Sequence, residues 1–231
     1  MIGRVEQKIT ENQMDEVASQ GAPLIITDRD GGYSKGHETR ELILHTALHI
    51  LIEEGYRAMS MRRVAHECGI KFGNLTYHYR TREDLVRELL EAVIRSYEVE
   101  FDQIIHLKGS PAERLQRICR FILEDIRSKK TTHLFPELWA LSNHDAFVLG
   151  RVQDLYDRAR APLAEIIGEM RPDLPIEDRK AIALFISASM EGLTPFGGYE
   201  KPFEPVMPKL ELIAIHSFVS LVETYDRELG C

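Results

Sequence analysis

Residues Ser60 to Tyr79 read SMRRVAHECGIKFGNLTYHY, and this stretch decides the fold. Ser60 is suited to cap a short helix through Glu67 by accepting a backbone hydrogen bond. Gly69 suits the left-handed turn that stops it, and a second short helix fits Phe72 to Tyr79. Val64 and Ala65 supply a small apolar inner face, Ile70 plugs the core and Leu75 anchors the second helix from inside. Two short helices held at a steep angle by a tight turn make a helix-turn-helix, whose second helix can lie in the major groove of DNA. Lys71, Asn74, Thr76, Tyr77 and His78 then face outward as donors and acceptors suited to base edges and phosphates.

Outward from this stretch the signal is almost wholly helical. Leu42, Ile43, Ala47, Ile50, Leu51 and Tyr56 follow the helical period from Thr39, and Gly55 is placed to end that helix. Thr81-Arg82-Glu83-Asp84 resembles a capping box that opens a long helix to about Leu107. Ser110-Pro111-Ala112-Glu113 opens the next with a cap and a proline at the first position. Further helices fit Phe135 to Ser142, Asp145 to Met170 with a kink at Pro162, Pro175 to Leu193, and Pro208 to Leu229. Thr194 to Pro205 reads as a loop, and strand-length alternation occurs only at Leu24 to Thr27. The expected class is all-α. An N-terminal arm (1–36) precedes a three-helix DNA-binding domain (37–84) and a helical effector-binding and dimerisation domain (85–231).

The chain has 231 residues and a net charge of −8, which at first argues against a nucleic-acid partner. The average hides a local reversal. Between Tyr56 and Arg82 lie Arg57, Arg62, Arg63, Lys71, Arg80 and Arg82, opposed only by Glu67. A basic island on an acidic chain is the asymmetry expected of a DNA-contacting segment. Cys68, Cys119 and Cys231 have no metal or disulfide spacing, which fits a reducing, cytoplasmic setting. The longest apolar run, Ala181 to Ile186, is too short to span a membrane. His45 and His49 have an i, i+4 spacing but no third ligand, so no metal is expected.

The helix TRELILHTALHILIEEGY (39–56) followed by SMRRVAHECGIKFGNLTYHYRTREDL (60–85) resembles the TetR family of regulators in its spacing of Gly-Tyr, Ser-Met, Val-Ala, Gly-Ile, Tyr-His-Tyr and Asp-Leu. The resemblance implies that Ser60 and Arg62 touch phosphates, that Lys71, Phe72, Gly73 and Asn74 face bases, and that Tyr77, His78 and Arg82 clamp the DNA backbone. Thr76 stands where the family commonly has an aromatic residue, and Arg82 where it has Lys.

The last two helices are apolar around more of their circumference than one buried face needs, through Leu210, Leu212, Ile213, Ile215, Phe218, Val219 and Val222 in one and Ala181 to Ile186 in the other. A helix apolar on two sides is covered on two sides, which implies a homodimer built on these helices, with Ala181, Ser187, Ala188 and Gly192 allowing close approach. The resemblance places a small-molecule pocket between Leu107 and Met170, where Phe121, Phe135, Trp139, Asn143, His144 and Tyr156 are the candidate lining, with Met190 and Phe196 from later elements. The expected function is a dimeric repressor released from its DNA operator by an effector. One alternative is an effector-independent architectural DNA-binding protein of the same fold. Another, a helical-bundle metalloenzyme, requires a Glu-x-x-His pair that no histidine here completes. No nucleophile motif or nucleotide fingerprint appears, so neither catalysis nor a cofactor is expected.

Overall fold

The computed structural model describes residues 24–27, 34–106 and 108–226. Its elements are α1 (Ser34–Glu54), α2 (Met61–Glu67), α3 (Phe72–His78), α4 (Arg82–Ile105), α5 (Pro111–Ile126), α6 (Lys129–Ser142), α7 (Ala146–Met170), α8 (Ile176–Glu191), the short α9 (Thr194–Gly197), a 3-10 turn (Glu204–Val206) and α10 (Met207–Thr224). No strand occurs among the described residues, and the chain is all-α as expected. Most of the expected N-terminal arm, together with Leu107 and Leu229, lies outside the described residues. Leu24 to Thr27 has no regular secondary structure, and the Ile25 amide donates to the Ala92 carbonyl at 3.3 Å.

The helix starts follow their caps. Thr81 and Asp84 exchange side-chain and backbone bonds, Thr81 N to Asp84 Oδ2 at 3.2 Å and Asp84 N to Thr81 Oγ1 at 3.0 Å. Ser110 and Glu113 do the same ahead of α5. Each reciprocal pair satisfies two amide donors that a helix start would leave without partners. Four boundaries differ from expectation, one of them the end of α10, at Thr224 rather than Leu229. α1 begins five residues before Thr39, at Ser34, and α6 begins at Lys129 rather than Phe135. Thr194 to Gly197, expected as loop, forms one helical turn opened by Pro195. Polar starts such as Lys-Lys-Thr-Thr-His give no apolar period, yet Lys130, Thr131 and Thr132 are buried, so tertiary packing extends the helix there. Pro162 sits inside α7, which continues through it to Met170.

The chain divides into two compact units, residues 1–96 with 133–151, and residues 97–132 with 152–231. In the first unit, Ile43, Leu44, Ala47 and Leu51 of α1 are buried, as are Val64 and Ala65 of α2, Leu75 of α3, and Leu85, Leu89 and Val93 of α4. The α6 part of this unit secures the end of α1: Glu137 accepts the Tyr56 amide at 3.1 Å, and His133 Nδ1 lies 2.8 Å from the Ile52 carbonyl oxygen. In the second unit, Leu115, Ile118, Cys119 and Leu123 of α5, Leu163 and Ile167 of α7, Ile182 and Ile186 of α8, and Phe218 and Val222 of α10 form one apolar core. Burial there pushes the Cys119 thiol up to about 12, so it stays protonated.

Candidate functional site

The helix-turn-helix is fixed by its turn. Gly69 has φ +66°, its amide donates to His66 O at 3.0 Å, and the Ile70 amide reaches Ala65 O at 3.0 Å. Together these bonds close a Schellman motif, which satisfies the last carbonyls of α2 and turns the chain into α3. No atom lies within 4 Å of where a Gly69 Cβ would stand, so the backbone conformation alone requires glycine. Gly69→Ala should therefore lower stability by about 1 kcal/mol in urea unfolding, with Gly69→Asn losing less. An unchanged midpoint for Gly69→Ala would contradict this assignment.

Ser60 caps α2 by accepting the Arg63 amide at 3.2 Å. Leu75 is fully buried and seats α3, leaving Lys71, Phe72, Gly73 and Asn74 exposed at its start and Tyr77 83% exposed one turn on. The Arg62 guanidinium lies 5.9 Å from the Phe72 ring centroid, so α2 and the exposed end of α3 present one surface. The Tyr77 and His78 rings meet edge to face at 5.3 Å, with His78 half-buried. Two residues sit differently from the rest. The Thr76 hydroxyl donates to Gly73 O at 3.1 Å and is turned onto its own helix. Arg82 lies 3.8 Å over the Tyr56 ring and donates to the Tyr56 carbonyl, tying the start of α4 to the end of α1.

The charge on this surface is narrower than the sequence count. Arg63 is held between Glu54 at 2.8 Å and Glu67 at 2.9 Å, which neutralises it locally. Sequence reading missed a groove of about 590 Å³ beside Tyr77 and His78, to which Arg80, Arg87 and Arg95 contribute. Its acidic residues are engaged, Asp84 in the capping box, Glu88 with Arg40 and Glu91 with Arg151. The spacing of Arg87, Glu91 and Arg95 along one helix face was the available signal.

The six candidate ligand residues fall into separate groups. Phe135 and Trp139 have ring centroids 6.4 Å apart, and Asn143 donates to Trp139 O at 3.2 Å, all in the first unit. Asn143 and His144 are exposed. In the second unit Phe121 packs edge to face on Phe101 at 5.7 Å and on Tyr97 at 6.2 Å. Tyr156 hydrogen-bonds Glu191, a residue absent from the sequence-based candidates. Beside these lies a buried polar cluster. Asp125 Oδ2 accepts from the Tyr97 hydroxyl at 2.5 Å and from Thr131 Oγ1 at 2.6 Å, and Lys130 Nζ stands 5.3 Å from the Tyr97 ring centroid.

Two neighbouring helices of the second unit carry apolar side chains outward. On α8 Leu184 is 51% and Phe185 58% exposed, and on α10 Leu212 is 65% and Ile213 53% exposed. Phe218, read in the sequence as part of this stripe, is only 6% exposed and belongs to the unit's own core. Glu204 to Thr224 has a mean hydropathy of 1.3 and is mostly unburied, long and apolar enough by composition alone to cross a membrane.

Comparison with known proteins matches residues 43–89 to the family described as bacterial regulatory proteins, tetR family, and residues 111–213 to the BetI-type transcriptional repressor C-terminal family. The HTH-type transcriptional repressor KstR2 of Mycobacterium tuberculosis is 25% identical over 143 residues, 58% of this chain and 70% of that protein. Among solved structures, a transcriptional regulator from Streptomyces coelicolor A3(2) is similar with a TM-score of 0.63 and 22% identity, covering 81% of this chain and 99% of its own. A transcriptional regulator from Saccharomonospora viridis in complex with choline is similar with a TM-score of 0.58 and 21% identity, covering 82% of this chain and 97% of its own.

Proposed function

Since the chain belongs to the TetR family and is a DNA-binding transcriptional regulator, we propose that it is a homodimeric repressor whose hold on its operator is released by a small molecule. The observation that carries this reading is the exposed edge of α3, Lys71 to Asn74 with Tyr77, presented by a fixed turn on an otherwise acidic chain. Lys71, Phe72, Gly73 and Asn74 face base edges; Ser60, Arg62, Tyr77 and His78 meet phosphates. Arg82 positions the head through Tyr56 and offers its outer face to the backbone. Thr76 orders the start of α3. The protein acts in the cytoplasm, where its operator is.

Residues 37–84 form the DNA-binding domain and residues 85–231 carry the effector and dimer functions. The apolar faces of α8 and α10 meet their copies. An effector changes DNA affinity only through a preference for one arrangement of the two reading heads. Moving operator occupancy from nearly full to nearly empty takes about 5.5 kcal/mol of differential affinity, which two linked pockets share. Helix α4 is the connecting element, since it starts at Arg82 and runs on to residues of the second unit. A bound choline in the Saccharomonospora viridis relative supports a small-molecule partner for this architecture.

Single substitutions test the assignment of roles on a selected operator. Arg62→Ala should weaken binding to all sequences alike and lower the salt slope by about 1. Lys71→Ala or Asn74→Ala should relax preference at particular bases, reducing discrimination by about 1–3 kcal/mol per lost base contact. Identical behaviour of the two classes would overturn the division.

A further inference from the structure

We infer that the buried polar cluster of the second unit binds an organic cation carrying at least one N–H donor, with Glu191 and Asp125 as its anionic partners. The inference names the ligand class of the effector proposed above, and only its regulatory consequence rests on that reading. Side chains from five helices supply the cluster: Tyr97 from α4, Asp125 from α5, Lys130 and Thr131 from α6, Tyr156 from α7 and Glu191 from α8.

Within it Asp125 Oδ2 has its hydrogen-bond donors and Glu191 Oε2 has none. Asp125 Oδ2 takes two hydroxyl donors, and its charge also acts on the buried Lys130. Glu191 receives the Tyr156 hydroxyl, but its Oε2 is sealed from solvent with no hydrogen-bond partner. Three residues on, Thr194 is fully buried and its Oγ1 likewise has no partner. Buried polar atoms without partners are uncommon in native proteins, and two so close in sequence mark a place where a donor group would be favoured.

Charge decides which group. Of the two carboxylates only Asp125 acts on the buried Lys130 ammonium, so the cluster holds a surplus negative charge once both acids are ionised. An anionic ligand would add to that surplus. A neutral alcohol could donate to Glu191 Oε2 but leaves the charge buried, which is costly. A quaternary ammonium neutralises the charge but brings no N–H. A primary or secondary ammonium does both, and the rings of Tyr97, Phe101 and Phe121, whose centroids lie 5.7 to 6.3 Å apart, offer an apolar wall for its organic part.

Without ligand, a proton takes the cation's place. Burial first, and the Asp125 charge second, push Glu191 up to about 7, with the Tyr156 hydrogen bond acting the other way. The groups acting on Glu191 are Asp125 from α5, Tyr156 from α7 and Tyr97 from α4, while Lys130 acts on Asp125. A bound cation should displace that proton. Because the folded value is raised above the ordinary 4.5, the stability contributed by protonated Glu191 is complete below about pH 4.5 and lost as pH rises toward 7. Glu191→Gln, which keeps the shape and removes the titration, should abolish that slope.

The experiment uses the whole 231-residue chain, with calorimetry and melting temperature against a graded set of probes. These are propyl- to hexylammonium and phenethylammonium, the matching alcohols and carboxylates, and phenyltrimethylammonium. At least one N–H ammonium should bind at least tenfold more tightly than its alcohol, its carboxylate and the quaternary probe. Binding near pH 7 should release a fraction of a proton, read from heats in buffers of different ionisation enthalpy. Glu191→Gln should weaken binding at least tenfold and abolish the release. The inference is overturned if no ammonium binds, if alcohols or carboxylates bind as well, or if Glu191→Gln leaves affinity and proton release unchanged. An ammonium that meets these tests but leaves operator affinity unchanged would support the site and refute the effector reading. Operator release by a neutral or anionic probe alone would do the reverse.

Discussion

Replacing Phe185 and Leu212 together with glutamate should convert the protein to a monomer and weaken operator binding by about 10²–10⁴-fold, the avidity that linking two heads supplies. The two side chains are 58% and 65% exposed, on neighbouring helices whose inner faces already fill the unit's core. Exposed apolar groups of this size, flanked by the small Ala181 and Ala188, fit a self-complementary interface in which each patch meets its own copy. Four introduced carboxylates would then face one another across the two-fold axis. Light scattering and fluorescence anisotropy on operator DNA read the two effects in one preparation. A variant that stays dimeric with unchanged affinity would place the interface elsewhere. Phe218→Asp is not an equivalent test, because Phe218 is 6% exposed and the change should unfold the second unit.

Operator affinity should also fall about 10³–10⁵-fold between 50 and 200 mM salt, as for a protein that neutralises six to ten phosphates. The exposed cations near the reading head are Arg57, Arg62, Lys71 and Arg80 on each protomer, so a dimer carries enough to reach that range. Arg63→Ala should leave the slope unchanged, because Glu54 and Glu67 already hold Arg63. Arg80→Ala should reduce it. Binding titrations across the salt series check both, and equal effects of the two substitutions would contradict the local charge assignment.

What the sequence revealed divides along the range of the interactions. Caps and turns are local: Thr81 with Asp84, Ser110 with Glu113, and Gly55 and Gly69 at φ +81° and +66° can be read from a few adjacent residues. The helix starts at Ser34 and Lys129 could not, because their polar residues carry no period and their packing partners are distant in sequence. The exposed edge of α3 was legible for the same local reason, since one buried residue, Leu75, fixes which side faces out.

Thr76, Arg63 and Arg82 show the limit. Each has the right chemistry for DNA, yet each is drawn toward a partner, and only coordinates reveal Gly73 O, Glu54 or the Tyr56 ring as that partner. Two-sided apolarity in α10 is visible in its composition, but which side the chain itself covers is not, and of the stripe Phe218 lies inward while Leu212 and Ile213 lie outward. The Asp125 and Glu191 cluster had no sequence signature because its members are 66 residues apart in a 231-residue chain and meet only in the folded unit.

Selection from a randomised double-stranded DNA pool with the purified protein tests the central claim most directly. A DNA-reading dimer should enrich a near-palindromic site with two half-sites about one helical turn or more apart, and Lys71→Ala with Asn74→Ala should lose that enrichment while retaining salt-dependent binding. A pool that emerges without any enriched sequence, or a site whose selection is indifferent to Lys71 and Asn74, would contradict the account.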